Sequence, residues 1–473
     1  MRTFNRGLIV IFGLIAVTAA ALAFIGANSS TVVGATLPAK ANDGRVSVTT
    51  KVSQDKLLIG SDGQVAMEVT LAAAPMEIST DMPDQPVDLV IVIDRSGSMQ
   101  GEKIAAARSA VRQLLDRLTA KDRLGLVTYS DGVQVMAPLT SMDGRHHNEL
   151  ANIVARIRAG GGTNLGSGLN QGIELLKRQP ADGRQRKVIL ISDGLANQGI
   201  TDPSALGQMA ATATDHHFAV STVGVGLEFN ELLMTTIADH GLGQYYFLED
   251  PLVFAQVFEK EFQSARQVAA SDVVLRIPLA EGVQLINAGG YPIRLENGDA
   301  VVRPGHLISG QERKLFLTFR VPADQERQYP IGGVKLAYQR DGSEHTLAPT
   351  KTSVLACIAD PKAVMASVDK DTWSEHVLKE SYNQLKEEVA DALRRGEAGE
   401  AESRIQAYAA EKKRINAAVG SAEVSQHLDE DVQALRATVA DTFAGPPAAV
   451  AAKKKQNAKA LQYESYQQRR SKY

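Results

Sequence analysis

Two mostly apolar runs, residues 87–93 and 187–192, each lead directly into an aspartate. A run of Val, Leu and Ile without regular polar alternation is typical of a central parallel strand, because helices cover both faces of such a strand. Further strand patterns alternate with amphipathic helical patterns between residues 86 and 267. This alternation predicts an α/β domain with a doubly wound, mostly parallel sheet at residues 86–267.

The segments on either side of this α/β domain show the alternation of half-buried strands. Residues 45–51 and 64–72 alternate with period two around a Gly-Ser-Asp-Gly turn, and short alternating segments fill residues 272–356. Gly, Pro and Asn-Gly residues separate these segments, which is typical of an antiparallel β-sandwich. Because two strands alone are marginally stable in water, we expect residues 45–75 to join this later sandwich. The α/β domain is then inserted in the β-sandwich or flanked by it.

The pattern becomes helical from residue 360 onward. Apolar residues recur at three- and four-residue steps in three stretches of residues 360–444, which predicts a small C-terminal helical bundle. Beyond these stretches, residues 453–473 carry seven basic residues against the single acidic residue Glu464. We therefore predict that residues 445–473 form a basic, disordered tail.

The first 35 residues predict export. Arg2 and Arg6 precede a weakly apolar stretch at residues 7–27, and small residues follow it. The stretch is long for the core of a cleaved signal and just long enough to span a bilayer, so residues 1–35 are either a signal peptide or an N-terminal membrane anchor. In both cases the positive-inside rule exports the rest of the chain, to the periplasm or the cell surface.

Composition narrows the class of protein further. The 473 residues are enough for two to four domains, and the formal net charge of −3 argues against a nucleic-acid-binding protein. A single cysteine, Cys357, excludes intramolecular disulfides and any cysteine cluster for a metal.

Small oxygen-bearing side chains follow the two apolar runs. Asp94, Ser96 and Ser98 come where the first predicted strand ends, Asp193 follows the second, and Thr163 lies between them in a glycine-rich loop. In open α/β sheets, ligands bind in the crevice beyond the carboxyl ends of the strands. Carboxylates and hydroxyls are hard oxygen donors, which suit Mg²⁺, Mn²⁺ or Ca²⁺ rather than zinc or copper.

The order of these side chains, DxSxS, then a threonine loop, then an aspartate, resembles the von Willebrand factor type A (VWA) domain with its metal-ion-dependent adhesion site. The resemblance covers residues 86–267, and the layout of the whole chain is similar to inter-alpha-trypsin inhibitor heavy chains and to bacterial calcium-activated chloride channel homologues. In such a site the hydroxyls coordinate the cation, most often Mg²⁺, and the carboxylates bind it directly or through water. The resemblance implies one metal site formed by Asp94, Ser96, Ser98, Thr163 and Asp193.

A functional hypothesis follows from this resemblance. We expect an exported, metal-ion-dependent protein-binding module whose protein partner supplies an acidic residue to the open metal position. The alternative is an assembly factor or regulator of an envelope complex. A hydrolytic enzyme is disfavoured because no nucleophile or general base accompanies the metal residues, and no catalytic residue is assigned. A single apolar segment also cannot build a pore wall within one chain.

Overall fold

The computed structural model describes residues 38–75, 85–180 and 183–470. It has an α/β domain, antiparallel sheets on both sides of it in sequence, and a C-terminal helical region, so the predicted fold class is confirmed. The predicted signal or anchor at residues 1–35 lies outside the described residues. Within these ranges, none of the helices is long and apolar enough to cross a bilayer.

The α/β domain is reached through four strands, which prove to belong to the later β-sandwich. These strands are β1 (Ala39–Asn42), β2 (Val46–Val52), β3 (Lys56–Leu58) and β4 (Gln64–Ala73).

Six strands and six α-helices build the α/β domain within the described residues. They are β5 (Val87–Asp94), α1 (Glu102–Leu115), β6 (Arg123–Tyr129), β7 (Val133–Ser141), α2 (Gly144–Ala155), α3 (Leu165–Lys177), β8 (Gln185–Ser192), α4 (Pro203–Thr214), β9 (Ala219–Val225), α5 (Glu231–His240), β10 (Leu242–Leu248) and α6 (Phe254–Arg266). The sheet order is β10-β9-β8-β5-β6-β7, and only β7 of this sheet runs antiparallel to its neighbour.

Strand β5 lies in the middle of this sheet and is buried along its whole length. Ile91 and Ile93 pack into a core with residues of α1 and α6, whereas Val90 and Val92 pack into a second core with residues of α3, α4 and α5. Successive side chains of a strand point to opposite faces, so a strand covered by helices on both faces needs apolar residues at consecutive positions. This is the physical reason for the mostly apolar run in the sequence.

The β-sandwich resumes directly after α6. Its remaining strands are β11 (Val268–Pro278), β12 (Gln284–Ala288), β13 (Ile293–Glu296), β14 (Asp299–Val302), β15 (Leu307–Ile308), β16 (Glu312–Arg320), β17 (Arg327–Ile331), β18 (Lys335–Arg340), β19 (Ser343–Leu347) and β20 (Ser353–Ile358). They form sheets with the orders β1-β2-β4-β16-β12, β13-β14-β11-β18-β19 and β17-β20-β3, and β15 pairs with β11. Apolar residues of all three sheets meet in one core.

Strand β4 joins the sequence before the α/β domain to the sequence after it. It pairs antiparallel with β16 over nine residue pairs, from Gln64 opposite Arg320 to Ala72 opposite Glu312. Strands β1 and β2 continue the same sheet beyond β4, and β3 pairs in parallel with β20. The α/β domain is therefore inserted between strands of a single β-sandwich.

Deleting residues 38–75 is expected to make the chain aggregate. The deletion leaves β16 as an edge strand with unpaired backbone groups and uncovers the core that Val69 and Leu71 fill. Size-exclusion chromatography measures the monomer fraction. Removing only residues 38–42, which takes away β1, leaves β2 and β4 in place and is the matched control. A soluble monomer lacking residues 38–75 would contradict the insertion.

The helical region contains more helices than the three predicted. They are α7 (Pro361–Ala366), α8 (Lys370–Glu375), α9 (Tyr382–Arg395), α10 (Ala398–Val419), α11 (Ala422–Thr442) and α12 (Pro447–Arg470). The first predicted helix is divided, because a π-helical turn at His376–Ser381 lies between α8 and α9. Its apolar positions still face one core, with Trp373, Val377 and Leu385 buried together.

The prediction of a disordered tail at residues 445–473 is wrong for most of that segment, because α12 occupies Pro447–Arg470. Arg469 forms ion pairs with Glu380 and Glu387 of the helical region, and Arg470 pairs with Asp239 of the α/β domain. The basic charge that suggested disorder is thus offset by acidic residues far away in sequence. Local composition contains no information about these partners.

Candidate metal centre

The candidate site lies where the carboxyl ends of β5 and β8 meet. The two strands are parallel neighbours, with Ile93 opposite Ile191, so Asp94 and Asp193 emerge side by side at the same sheet edge. Ser96 and Ser98 follow within the next four residues: Ser96 directly precedes a short 3₁₀ helix at Gly97–Met99, and Ser98 lies within it. The topology therefore brings together two carboxylates that are far apart in sequence.

A continuous set of oxygen contacts joins four of the predicted ligands. Asp94 Oδ1 accepts the backbone N–H of Ser96 at 2.7 Å, and the hydroxyls of Ser96 and Ser98 lie 3.0 Å apart. The Ser98 hydroxyl donates to Asp193 Oδ1 at 2.7 Å. On the opposite side of Asp94, the Ser192 hydroxyl donates to Oδ2 at 2.9 Å. The two carboxylates are thus oriented through serine hydroxyls.

The glycine-rich loop brings Thr163 to the same place. Gly161 has a φ of +87°, and its carbonyl accepts the N–H of Gly97 at 2.9 Å, which ties this loop to the serine turn. A Cβ on Gly161 would lie 2.2 Å from Asp131 Oδ2, so this approach requires glycine. A Cβ on Gly194 would lie 3.3 Å from the Ser98 hydroxyl and 3.7 Å from the Thr163 hydroxyl, so both hydroxyls lie beside Gly194, the residue after Asp193.

Burial sets the electrostatics of the two carboxylates. Asp94 and Asp193 are both 0% exposed, whereas Ser98 lies at the surface. Burial raises the pKa of Asp94, the hydrogen bonds from Ser96 and Ser192 oppose this shift, and the charge of Asp193 adds to it. The charges of the two buried carboxylates therefore repel each other, and a bound cation would relieve this repulsion.

The donor set fits a hard divalent cation. An octahedral shell with metal–oxygen distances of about 2.1 Å separates neighbouring ligand oxygens by about 3.0 Å. The oxygen spacings of 3.0 Å and 2.7 Å around Ser98 are close to that value. In the part of the chain that the structure describes, no three His, Cys, Asp or Glu side chains are placed to hold a metal. The donors that lie together here are the two carboxylates and the hydroxyls of Ser96 and Ser98.

Three residues of this site were not assigned from the sequence. Ser192 orients Asp94, and Asn197 holds Thr163 by accepting its backbone N–H at 2.9 Å. Lys103 places its ammonium 2.5 Å from Asp193 Oδ2. The sequence does mark Ser192, which is the polar end of an apolar run. It does not mark Lys103, because a lysine at the start of a helix is an ordinary surface residue.

The fold and site define a class of protein, an open α/β domain with a cluster of oxygen donors at the carboxyl edge of its sheet. Within that class, residues 88–260 match the family model of the von Willebrand factor type A domain, so the chain contains a VWA domain. Such domains commonly mediate protein–protein interactions and adhesion, often through a divalent cation.

Solved structures show the same fold over most of the chain. A von Willebrand factor type A protein from Catenulispora acidiphila has a TM-score of 0.65 at 19% identity and covers 91% of this chain and 97% of its own. The ArnB paralog VWA2 from Sulfolobus acidocaldarius has a TM-score of 0.51, also at 19% identity, and covers 89% of this chain and 99% of its own. The likeness therefore extends beyond the VWA domain to its surroundings.

Sequence relatives match over a shorter part. The uncharacterized protein sll0103 of Synechocystis is 27% identical over 271 residues, which are 55% of this chain and 63% of that protein. The human inter-alpha-trypsin inhibitor heavy chain H4 is 26% identical over 271 residues, 52% of this chain and 28% of its own. The chain thus spans less than two thirds of each of these relatives.

Proposed function

We propose that the chain is an exported protein-binding module that recognises a protein partner through a divalent cation held at Asp94, Ser96, Ser98, Thr163 and Asp193. The observation that carries this proposal is the convergence of two buried carboxylates and three hydroxyls at one sheet edge, with oxygen spacings close to those of an octahedral shell. Mg²⁺ is the proposed ion, with Mn²⁺ and Ca²⁺ as alternatives.

The residues of the site have distinct roles in this proposal. Ser96 and Ser98 present hydroxyl oxygens from a turn that Asp94 fixes through its bond to the Ser96 N–H. Thr163 presents a third hydroxyl from a loop held by Asn197. These residues would hold a cation that could accept one further oxygen ligand, and we expect an acidic side chain of the partner to supply it. The proposed role is binding rather than catalysis.

The charges around the site favour a partner that supplies an acidic side chain. Asp94 and Asp193 offset the charge of a divalent cation without exceeding it, and α1 and α3 begin beside the site, where their N-termini favour negative charge. A carboxylate is therefore preferred over a neutral oxygen at the open position. The second candidate role, assembly or regulation within an envelope complex, uses the same chemistry with a neighbouring envelope protein as the ligand.

A capture experiment tests this proposal. The full chain is immobilised and offered envelope and extracellular fractions in Mg²⁺ and in chelator. We expect a protein that is retained in Mg²⁺, released by chelator, and not retained by a chain carrying Asp94→Ala with Ser96→Ala. An envelope neighbour supports the assembly role, and a ligand from outside supports adhesion.

A matched control changes the same residue types elsewhere on the domain. Ser109 is exposed in the middle of α1 and Asp116 is exposed just past its last residue, so Ser109→Ala with Asp116→Ala should retain the captured protein. Capture that is equal in Mg²⁺ and in chelator, or equal for the site variant and wild type, contradicts recognition through a metal.

A further inference from the structure

Lys103 is a positive charge built into the candidate metal site. Its ammonium lies 2.5 Å from Asp193 Oδ2, on the carboxylate whose other oxygen accepts the Ser98 hydroxyl. Asp193 is fully buried and the Lys103 side chain is 27% exposed. The ion pair is therefore partly shielded from water, which makes its electrostatic interaction stronger than that of a surface pair.

Lys103 approaches Asp193 past the loop that follows β9. It lies in the first turn of α1, and a Cβ added to Gly226, just after β9, would lie 3.5 Å from both its Cε and its Nζ atom. The glycine at this position therefore leaves room for the end of the lysine side chain beside Asp193.

The charge balance of the site depends on this lysine. Two carboxylates neutralise a divalent cation, so the site with Lys103 keeps one net positive charge. Asp131 is the other carboxylate beside the Thr163 loop, but it is exposed, bonded by the Gly162 N–H and the Gln198 side chain, and it lies near Arg95. Solvent screens its charge, whereas Lys103 acts on the buried carboxylate itself.

We propose that Lys103 is the residue that makes the site select an anionic ligand, at the expense of affinity for the cation. This inference rests on the proposed metal site. The ammonium competes with the cation for Asp193, so it weakens metal binding. It also leaves the excess positive charge that attracts a carboxylate to the open position. One side chain thus has opposite effects on the two binding steps.

Manganese binding and acetate binding test the two effects separately. Water-proton relaxation of the full chain titrated with Mn²⁺ gives the metal affinity, and adding acetate to the loaded chain reports displacement of metal-bound water. In Lys103→Met we expect roughly tenfold tighter binding of Mn²⁺ and at least about fivefold weaker binding of acetate. Lys103→Arg keeps the charge and should stay within about twofold of wild type for both.

The controls separate this inference from the proposed function. Acetamide at the same concentration should have no effect, with chloride used to hold the ionic strength. Wild type that binds no Mn²⁺ at millimolar concentration contradicts the metal site and with it the inference. Wild type that binds Mn²⁺ with the same affinity as Lys103→Met leaves the metal site standing and overturns the role of Lys103. A loss of both affinities in Lys103→Met indicates a merely structural lysine, and unchanged acetate affinity likewise overturns ligand selection.

Discussion

Replacing Arg470 with methionine is expected to lower the free energy of unfolding by roughly 3–5 kcal/mol, because it leaves a buried carboxylate without its ion-pair partner. Arg470 Nη2 lies 2.5 Å from Asp239 Oδ2, and both side chains are less than 10% exposed. The same guanidinium donates to the carbonyls of Gly289 and Gly290 in the β-sandwich. One side chain thus joins α12 to both the VWA domain and the sandwich.

Urea unfolding followed by fluorescence measures this loss, since Trp373 is the only tryptophan and is buried in the helical region. Circular dichroism reports the rest of the chain. Arg395→Met is the control, because its ion pair with Glu397 is about half exposed and should contribute less than about 1 kcal/mol. Adding Asp239→Leu to Arg470→Met should restore part of the stability by removing the buried carboxylate that has lost the Arg470 guanidinium. Equal effects of Arg470→Met and Arg395→Met would contradict the junction role of α12.

Mg²⁺ is expected to stabilise the chain by about 2.7 kcal/mol when its concentration is a hundredfold above the dissociation constant. The physical reason is that a cation bound by the buried pair Asp94 and Asp193 binds the folded state alone, because the unfolded chain does not bring these residues together. Thermal unfolding in Mg²⁺ and in chelator measures the difference as a higher melting temperature with metal.

The same comparison on variants locates the stabilising ion. Asp94→Ala with Ser96→Ala should remove the difference between Mg²⁺ and chelator, because it deletes two of the proposed ligands. The double variant Ser109→Ala with Asp116→Ala should keep it. A difference that persists in the site variant would assign the stabilisation to another place in the molecule.

The sequence predicts a strand correctly where its pattern of apolar and polar residues matches the burial of those residues in the folded protein. The apolar run of β5 predicted a strand covered on both faces, and residues 90–93 do alternate between two cores. The alternation of residues 64–72 predicted a strand that needs a partner sheet, and β16 is that partner. In both cases the burial of each side chain follows directly from the period of the pattern.

The helix α12 could not be found in this way. Its basic residues look like those of a solvated tail, and the acidic partners Glu228, Asp239 and Glu380 are between about 90 and 230 residues away. The π-helical turn at His376–Ser381 is similarly invisible, because the apolar steps continue through it. Tertiary contacts decide both features, and a periodic pattern contains only local information.

The candidate site also contains residues that the sequence marks and residues that it does not. The five predicted ligands could be chosen from the order of the motif. Asp94 and Asp193 lie side by side because β5 and β8 are neighbours, and the hydrogen bond from the Gly97 N–H to the Gly161 carbonyl brings the Thr163 loop to them. Lys103 and Asn197, which contact Asp193 and Thr163, could not be chosen from the sequence, because no motif or periodic pattern marks them. Their residue types also occur at ordinary helix and loop positions. Only the geometry distinguishes them from surface residues.

Calorimetric titration of Mg²⁺ into the purified full chain measures cation binding at the candidate metal site. We expect wild type to bind one ion, and Asp94→Ala with Ser96→Ala to bind none under the same conditions. The Ser109→Ala with Asp116→Ala control should bind like wild type. Absence of binding to wild type at millimolar Mg²⁺, or equal binding to wild type and the site variant, would contradict a divalent cation site at the carboxyl ends of β5 and β8.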